Sequence, residues 1–289
     1  MSFKAVEIDA LGENLYIERV NIAIDIGFTM YRLGEDKPCI TFVSGISDND
    51  ACGIALLKKF VEELKDKTLH GTILVVPQLN ELNLRITSCR GSSRSSTFCR
   101  IIEKLATVIP RDCVVFVIRC RSNFVEHLVV YRELYDSVKN FVEAIPIEYV
   151  VKDSRKGIIE IIKDLGLNAV TIVLNGGKEF DLNHVENYLN ILMKFLSNIG
   201  VVKRKATQVT HRYFEGYSVV RCADRGIFIP KIQRGVDVYK GTPIGVIENK
   251  EIVSDINGVV LYISNPKLCT LDEVIAVIAI EKKDISTHP

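Results

Sequence analysis

Between residues 38 and 199 the chain alternates short, continuously apolar runs with segments of helical period, and this alternation constrains its fold more than any other feature. The runs at 38–44, 72–76, 113–120, 147–150 and 169–174 are too uniformly apolar for strands with one face in water. Strands read this way when helices cover both faces of a mostly parallel sheet. The segments 50–64, 97–108, 155–165 and 182–199 space their apolar residues three and four apart, as amphipathic helices do. In the first of them Ile54, Leu57, Phe60, Val61 and Leu64 make one stripe, with Asp48 or Asp50 as N-cap. Asp181 caps the last helix and Gly200 ends it. Residues 125–142 are read as a further helix. The expected fold class is α/β, with a mostly parallel or mixed sheet and helices on both faces.

Lys203-Arg204-Lys205 reads as a surface linker, and beyond it the period changes. Residues 212–283 hold short strands and many glycines, with no helical pattern. They also hold a faint repeat: residues 221–229 match 253–261, and Ile244-Gly245-Val246-Ile247 matches Ile275-Ala276-Val277-Ile278. The expectation is an α/β domain over 1–205 and a small all-β domain over 206–289, a pseudo-symmetric sandwich or barrel. The turn from Gly235 to Gly241 resembles that of lipoyl-like β-domains. Lys250 stands near the position of their modifiable lysine, but the flanking methionines are absent, so it reads as an exposed turn lysine.

Composition excludes several functions. The 289 residues carry 37 basic and 36 acidic side chains, a net charge of +1, which argues against nucleic-acid or membrane-surface binding. No apolar run is long enough to cross a bilayer, and residues 1–9 lack the apolar stretch of a secretion signal, so the expected location is cytoplasmic. None of the eight cysteines forms a Cys-x-x-Cys pair. Most fall in apolar strands and read as small core residues. Cys89 and Cys99, in a polar segment, leave a disulfide open, which would be rare in a cytoplasm outside hyperthermophiles. The residues give no oligomeric state, and self-association stays open.

Four ordered segments resemble the succinylglutamate desuccinylase and aspartoacylase family, zinc deacylases of carboxypeptidase-like fold. Gly45-Ile46-Ser47-Asp48-Asn49-Asp50 keeps the frame of the family's Gly-x-His-Gly-x-Glu, and 71–80 is similar to its Gly-Thr-x-x-x-Val-Pro-x-x-Asn. Residues 166–177 look like the strand that carries the general-base Glu, and 226–245 match the C-terminal β-region in spacing. The resemblance spans residues 20–280. It implies a carboxypeptidase-like fold and an amide hydrolysis in which zinc, held by two His and one Glu, activates water. It also implies a Glu that moves the proton and arginines that grip carboxylates.

Carried over position by position, the metal ligands become Ser47, Asp50 and Cys120, and the general-base position becomes Val173. His127 is the one histidine near enough in sequence to substitute, with a surface helix position as the plain alternative. No two histidines have ligand spacing. Asp48 and Asp50 read first as helix caps, and Cys120 as a buried strand-end thiol. The surviving signal is a cluster of arginines. Arg85, Arg90 and Arg94, with Arg100, Arg119 and Arg121, suit an anion pocket or else a solvated loop. The reading is a non-catalytic or strongly altered relative that binds a small carboxylate or other anion and needs no cofactor. The alternative is an active, metal-dependent deacylase with substituted ligands, which would need zinc.

Overall fold

A computed structural model describes residues 6–10, 15–23, 26–82, 97–154, 158–203 and 208–281. The chain enters through an antiparallel run, β1 (Val6–Ala10), β2 (Leu15–Ala23) and β3 (Ile26–Leu33). The alternating region follows as β4 (Cys39–Val43), α1 (Ala51–Leu64), β5 (Thr72–Val76), α2 (Thr97–Val108), β6 (Val114–Arg121), β7 (His127–Tyr131), α3 (Tyr135–Ala144), β8 (Tyr149–Asp153), α4 (Ile158–Asp164), β9 (Asn168–Asn175) and α5 (Leu182–Asn198). Strands β5, β4, β6 and β9 lie side by side and parallel, the arrangement their continuous apolar runs require. Strand β7 then runs antiparallel to β9, which makes the sheet mixed.

Helices cover both faces. Phe42, Phe60, Phe116 and Phe195 meet on the α1 and α5 side, with Phe116 and Phe195 ring centroids 5.1 Å apart. Phe98, Ile101, Ile102 and Leu105 of α2 and Ile162 of α4 pack on Val43, Val115 and Val117 on the other side. Each fully buried ring or branched chain contributes roughly 1.5–3 kcal/mol, so these two layers fix the strand ends on which the site is built.

The remaining elements are all strands: β10 (Arg212–Arg221), β11 (Gly226–Pro230), β12 (Asp237–Val238), β13 (Pro243–Ile247), β14 (Lys250–Val253), β15 (Gly258–Ile263), β16 (Lys267–Cys269) and β17 (Val274–Glu281). Strand β10 pairs with β8, so the central sheet continues through β10, β17, β15 and β12 to thirteen strands. Strands β14, β13, β11 and β16 make a second sheet. The repeat seen in the sequence is a repeat of pairing: Phe228 faces Ile247 across β11 and β13, and Val260 faces Ile278 across β15 and β17. Residues of both sheets share one core. Lys250 opens β14 after the Glu248–Asn249 turn and pairs with Asp224.

Two expectations are corrected. Residues 125–142 are not one helix. His127–Tyr131 is a strand wedged between β8 and β9, and the α-helix begins only at Tyr135, after a 3-10 turn at Arg132–Leu134. A five-residue apolar run fits a helical turn and a buried strand equally, and here its neighbours decide. The strand cysteines are also not all simple core residues. Ile40 and Val114 are paired in β4 and β6, which sets Cys39 opposite Cys113 with Cα atoms 4.5 Å apart, and the two are disulfide-bonded. Cys222 is likewise bonded to Cys269, and Cys99 is disulfide-bonded. Cys89 lies outside the described residues.

Candidate functional site

The carboxyl ends of β4, β6 and β9 converge where open α/β sheets bind ligands. The loop after β4 turns at Gly45, whose φ is +62°, and a Cβ there would stand 2.6 Å from the Cα of Gln78. Only glycine fits both the dihedral and the space. Leu79 N donates to Ser44 O and Asn80 N to Gly45 O, while Asn80 Nδ2 donates to Ile46 O at 3.0 Å. The Pro-x-x-Asn element therefore holds the Gly45–Asp50 loop in place.

That loop ends in a tight knot. Ser47 N and Ser47 Oγ donate to Asp50 Oδ2 at 2.9 and 3.1 Å. Asp50 Oδ1 accepts from Cys120 N at 3.0 Å and from Arg119 Nε at 3.1 Å. Arg119 Nη2 also donates to Ser47 Oγ at 3.3 Å. Asp50 is wholly buried, so its carboxylate meets no water and is satisfied by four protein donors and one positive charge. Asp48, by contrast, lies at the surface in an ion pair with Lys178, which holds its carboxyl below the usual range. Each carboxylate considered as a ligand already holds a side-chain cation.

Ser47, Asp50 and Cys120 are thus brought together, but not as a ligand set. Successive side chains on a strand point to opposite faces. Arg119 faces the loop, whereas the Cys120 thiol turns into the α1 and α5 core beside Cys52. What Cys120 offers Asp50 is its backbone N–H. Among the described residues, no three His, Cys, Asp or Glu side chains are placed to hold a metal. A neutral hydroxyl, a carboxylate covered by a guanidinium and a thiol facing away do not fit zinc, which takes tetrahedral nitrogen, sulfur and carboxylate donors.

His127 stands elsewhere. Val173 is paired with Arg119 on one side and with His127 on the other, so two strand spacings, roughly 10 Å, separate the backbones of Arg119 and His127. The His127 ring is buried. Nδ1–H donates to Val125 O at 2.7 Å, and Nε2 accepts from Tyr217 OH at 3.1 Å, the tautomer this bonding pattern requires. Burial pushes its pKa down to about 4, so it is neutral and has no nitrogen to spare. Val173 is apolar and almost buried, and moves no proton.

Arg121, two residues past Arg119 and on the same face of β6, is exposed. Partial desolvation and the charge of Arg119 lower its basicity. Arg85, Arg90 and Arg94 lie outside the described residues. The sequence reading missed three contributors. Tyr217 of β10 reaches back to His127. Tyr188 of α5 lies 2.7 Å from Glu126 Oε1 and 3.0 Å from Asn175 O, and Asn175 Oδ1 accepts from Asn123 N. Only the Asn175-Gly176-Gly177 strand stop gave a sequence signal. The C-terminal strands close one flank, where Phe124 stacks on Tyr262 with centroids 4.9 Å apart and Val125 N donates to Leu261 O.

No protein-family model matches this sequence. No curated protein matches it either. Solved structures do. An aspartoacylase family protein from Mesorhizobium loti is 16% identical, covers 98% of this chain and 100% of its own, and superposes with a TM-score of 0.74. A succinylglutamate desuccinylase/aspartoacylase from Rhodobacter sphaeroides is 13% identical over 95% and 99%, with a TM-score of 0.73. The product-bound ectoine utilization protein EutE of Ruegeria pomeroyi is 14% identical over 97% and 100%, with a TM-score of 0.75. The chain has the fold of the succinylglutamate desuccinylase and aspartoacylase family.

Proposed function

We propose that this protein is a strongly altered relative of the deacylases that binds a small anion, a carboxylate foremost, without a metal and without hydrolysing an amide. One observation carries the reading: the Asp50 carboxylate is saturated by Arg119, Cys120 and Ser47. In a zinc deacylase a divalent cation supplies positive charge at this crevice and acidifies a water. Here Arg119 supplies charge permanently. A guanidinium stays protonated at any working pH, offers donors in a planar fork and acidifies no water. With Val173 where the resemblance puts a general base, proton transfer has no agent either. Charge and hydrogen-bond donors remain, and Arg119 with Arg121 suits a carboxylate.

Disulfides at Cys39–Cys113 and Cys222–Cys269 go with an oxidising compartment or with the interior of a hyperthermophile. The cytoplasmic expectation stands with the second.

The test is a thermal shift with succinate and with phosphate, both in a metal chelator. Either anion at saturation raises the melting temperature, and Arg121→Ala removes the rise. Failure of both anions to shift the wild type refutes the binding reading. Amine release from N-acetylaspartate or N-succinylglutamate on adding zinc refutes the non-hydrolytic one.

A further inference from the structure

Among the described cysteines, five are in disulfides and two are free: Cys52, the second residue of α1, and Cys120, near the end of β6. The free two are in contact. Both are buried in one cluster, and both lie against Gly176. Gly176 closes the space around them. Its φ is +148°, and a Cβ there would lie 3.0 Å from Cys52 Cβ, 3.2 Å from Cys52 Sγ and 3.8 Å from Cys120 Cβ. Any side chain at 176 would press on Cys52 and touch Cys120, so the glycine leaves room for the two cysteines side by side. A chain that keeps other disulfides thus holds one adjacent thiol pair unjoined, directly beneath the Asp50–Arg119 knot.

We propose that Cys52 and Cys120 form a reversible dithiol–disulfide site, oxidised by a small hydroperoxide and reduced again by a dithiol. Chemistry assigns the roles. Cys52 sits in the first turn of α1, where the positive end of the helix favours a thiolate, and Cys120, at the end of β6, is the partner that resolves it. The Cys52 thiolate attacks one peroxide oxygen and the O–O bond breaks. The leaving oxygen takes a proton, departing as water when the peroxide is hydrogen peroxide, and Cys52 becomes a sulfenic acid. Cys120 Sγ then attacks Cys52 Sγ, the S–O bond breaks, and the hydroxyl leaves with the Cys120 proton as a second water. Two thiols have lost two protons and two electrons to the peroxide. A dithiol reverses the step by exchange through a mixed disulfide. The product ties the first turn of α1 to the end of β6, next to the amide that binds Asp50.

The test treats the full-length reduced-site protein with hydrogen peroxide and maps its disulfides by peptide mass. The expected result is a Cys52–Cys120 linked peptide lighter by two hydrogens, which dithiothreitol opens while Cys39–Cys113 and Cys222–Cys269 persist. In Cys120→Ser, Cys52 is trapped as a sulfenic acid that dimedone labels; in Cys52→Ser, Cys120 stays unlabelled. If both sulfurs of the treated wild type are still alkylated after unfolding, or if they pass to sulfinic acid without cross-linking, the site is not one. This outcome is separate from anion binding, since the succinate shift is expected in Cys52→Ser as in wild type.

Discussion

Replacing Arg119 by Met tests the knot directly. The change keeps the stem of the side chain and removes the guanidinium, leaving a wholly buried Asp50 with three donors and no positive charge. Removing one partner of a buried pair costs about 3–5 kcal/mol because the other charge stays behind. The Arg119 side chain is 18% exposed, so some water already reaches it, and the lower end, about 3 kcal/mol, applies. For a chain of this size that is a fall in melting temperature of about 5 °C. Asp50→Asn leaves a partly exposed cation unpaired, which water solvates, and should cost about 1 kcal/mol. The double variant Asp50→Asn/Arg119→Met removes both charges and should recover most of the loss. Thermal and urea unfolding of the four proteins give the coupling energy. A single Arg119→Met within about 0.5 kcal/mol of wild type, or double-variant losses that simply add, would refute the idea that this guanidinium neutralises Asp50.

Two further outcomes follow from the same geometry. His127 is neutral when folded, with its pKa pushed down to about 4, whereas an unfolded histidine charges near 6.5. Between those values the unfolded state holds the extra proton, so stability falls as pH drops through this window, by about 3 kcal/mol in all. His127→Gln should flatten unfolding free energy against pH over that range, and an unchanged slope would contradict the assignment. Gly45→Ala forces a Cβ against Gln78 at a positive φ and should cost more than about 1 kcal/mol, together with the anion-induced shift in melting temperature. An alanine variant of wild-type stability that still shifts with succinate would show that the loop does not need this turn.

Much of the fold was legible because period and capping are local. Residues 72–76 form β5, residues 97–108 form α2, and Asp181 accepts from Asn183 N at the start of α5 as its position implied. The C-terminal repeat was legible because equivalent strands repeat their pairing. Strand β7 was not, because His127–Tyr131 owes its conformation to partners at 149–153 and 170–173, far along the chain. The cysteine pairs depend on the same kind of long-range register. At the site, the resemblance named the residues expected at the ligand positions but not what those residues contact. Arg119 read as one of a cluster of arginines suited to an anion. Its actual partner is Asp50, 69 residues earlier, and no spacing rule joins the two.

The central claim is that a side-chain cation stands where relatives of this fold are expected to use a metal. Elemental analysis after incubation with equimolar zinc and gel filtration measures that most directly. The expected result is no zinc above a fraction of an equivalent for the wild type. One tightly held zinc per chain, lost in Asp50→Ala, would contradict it.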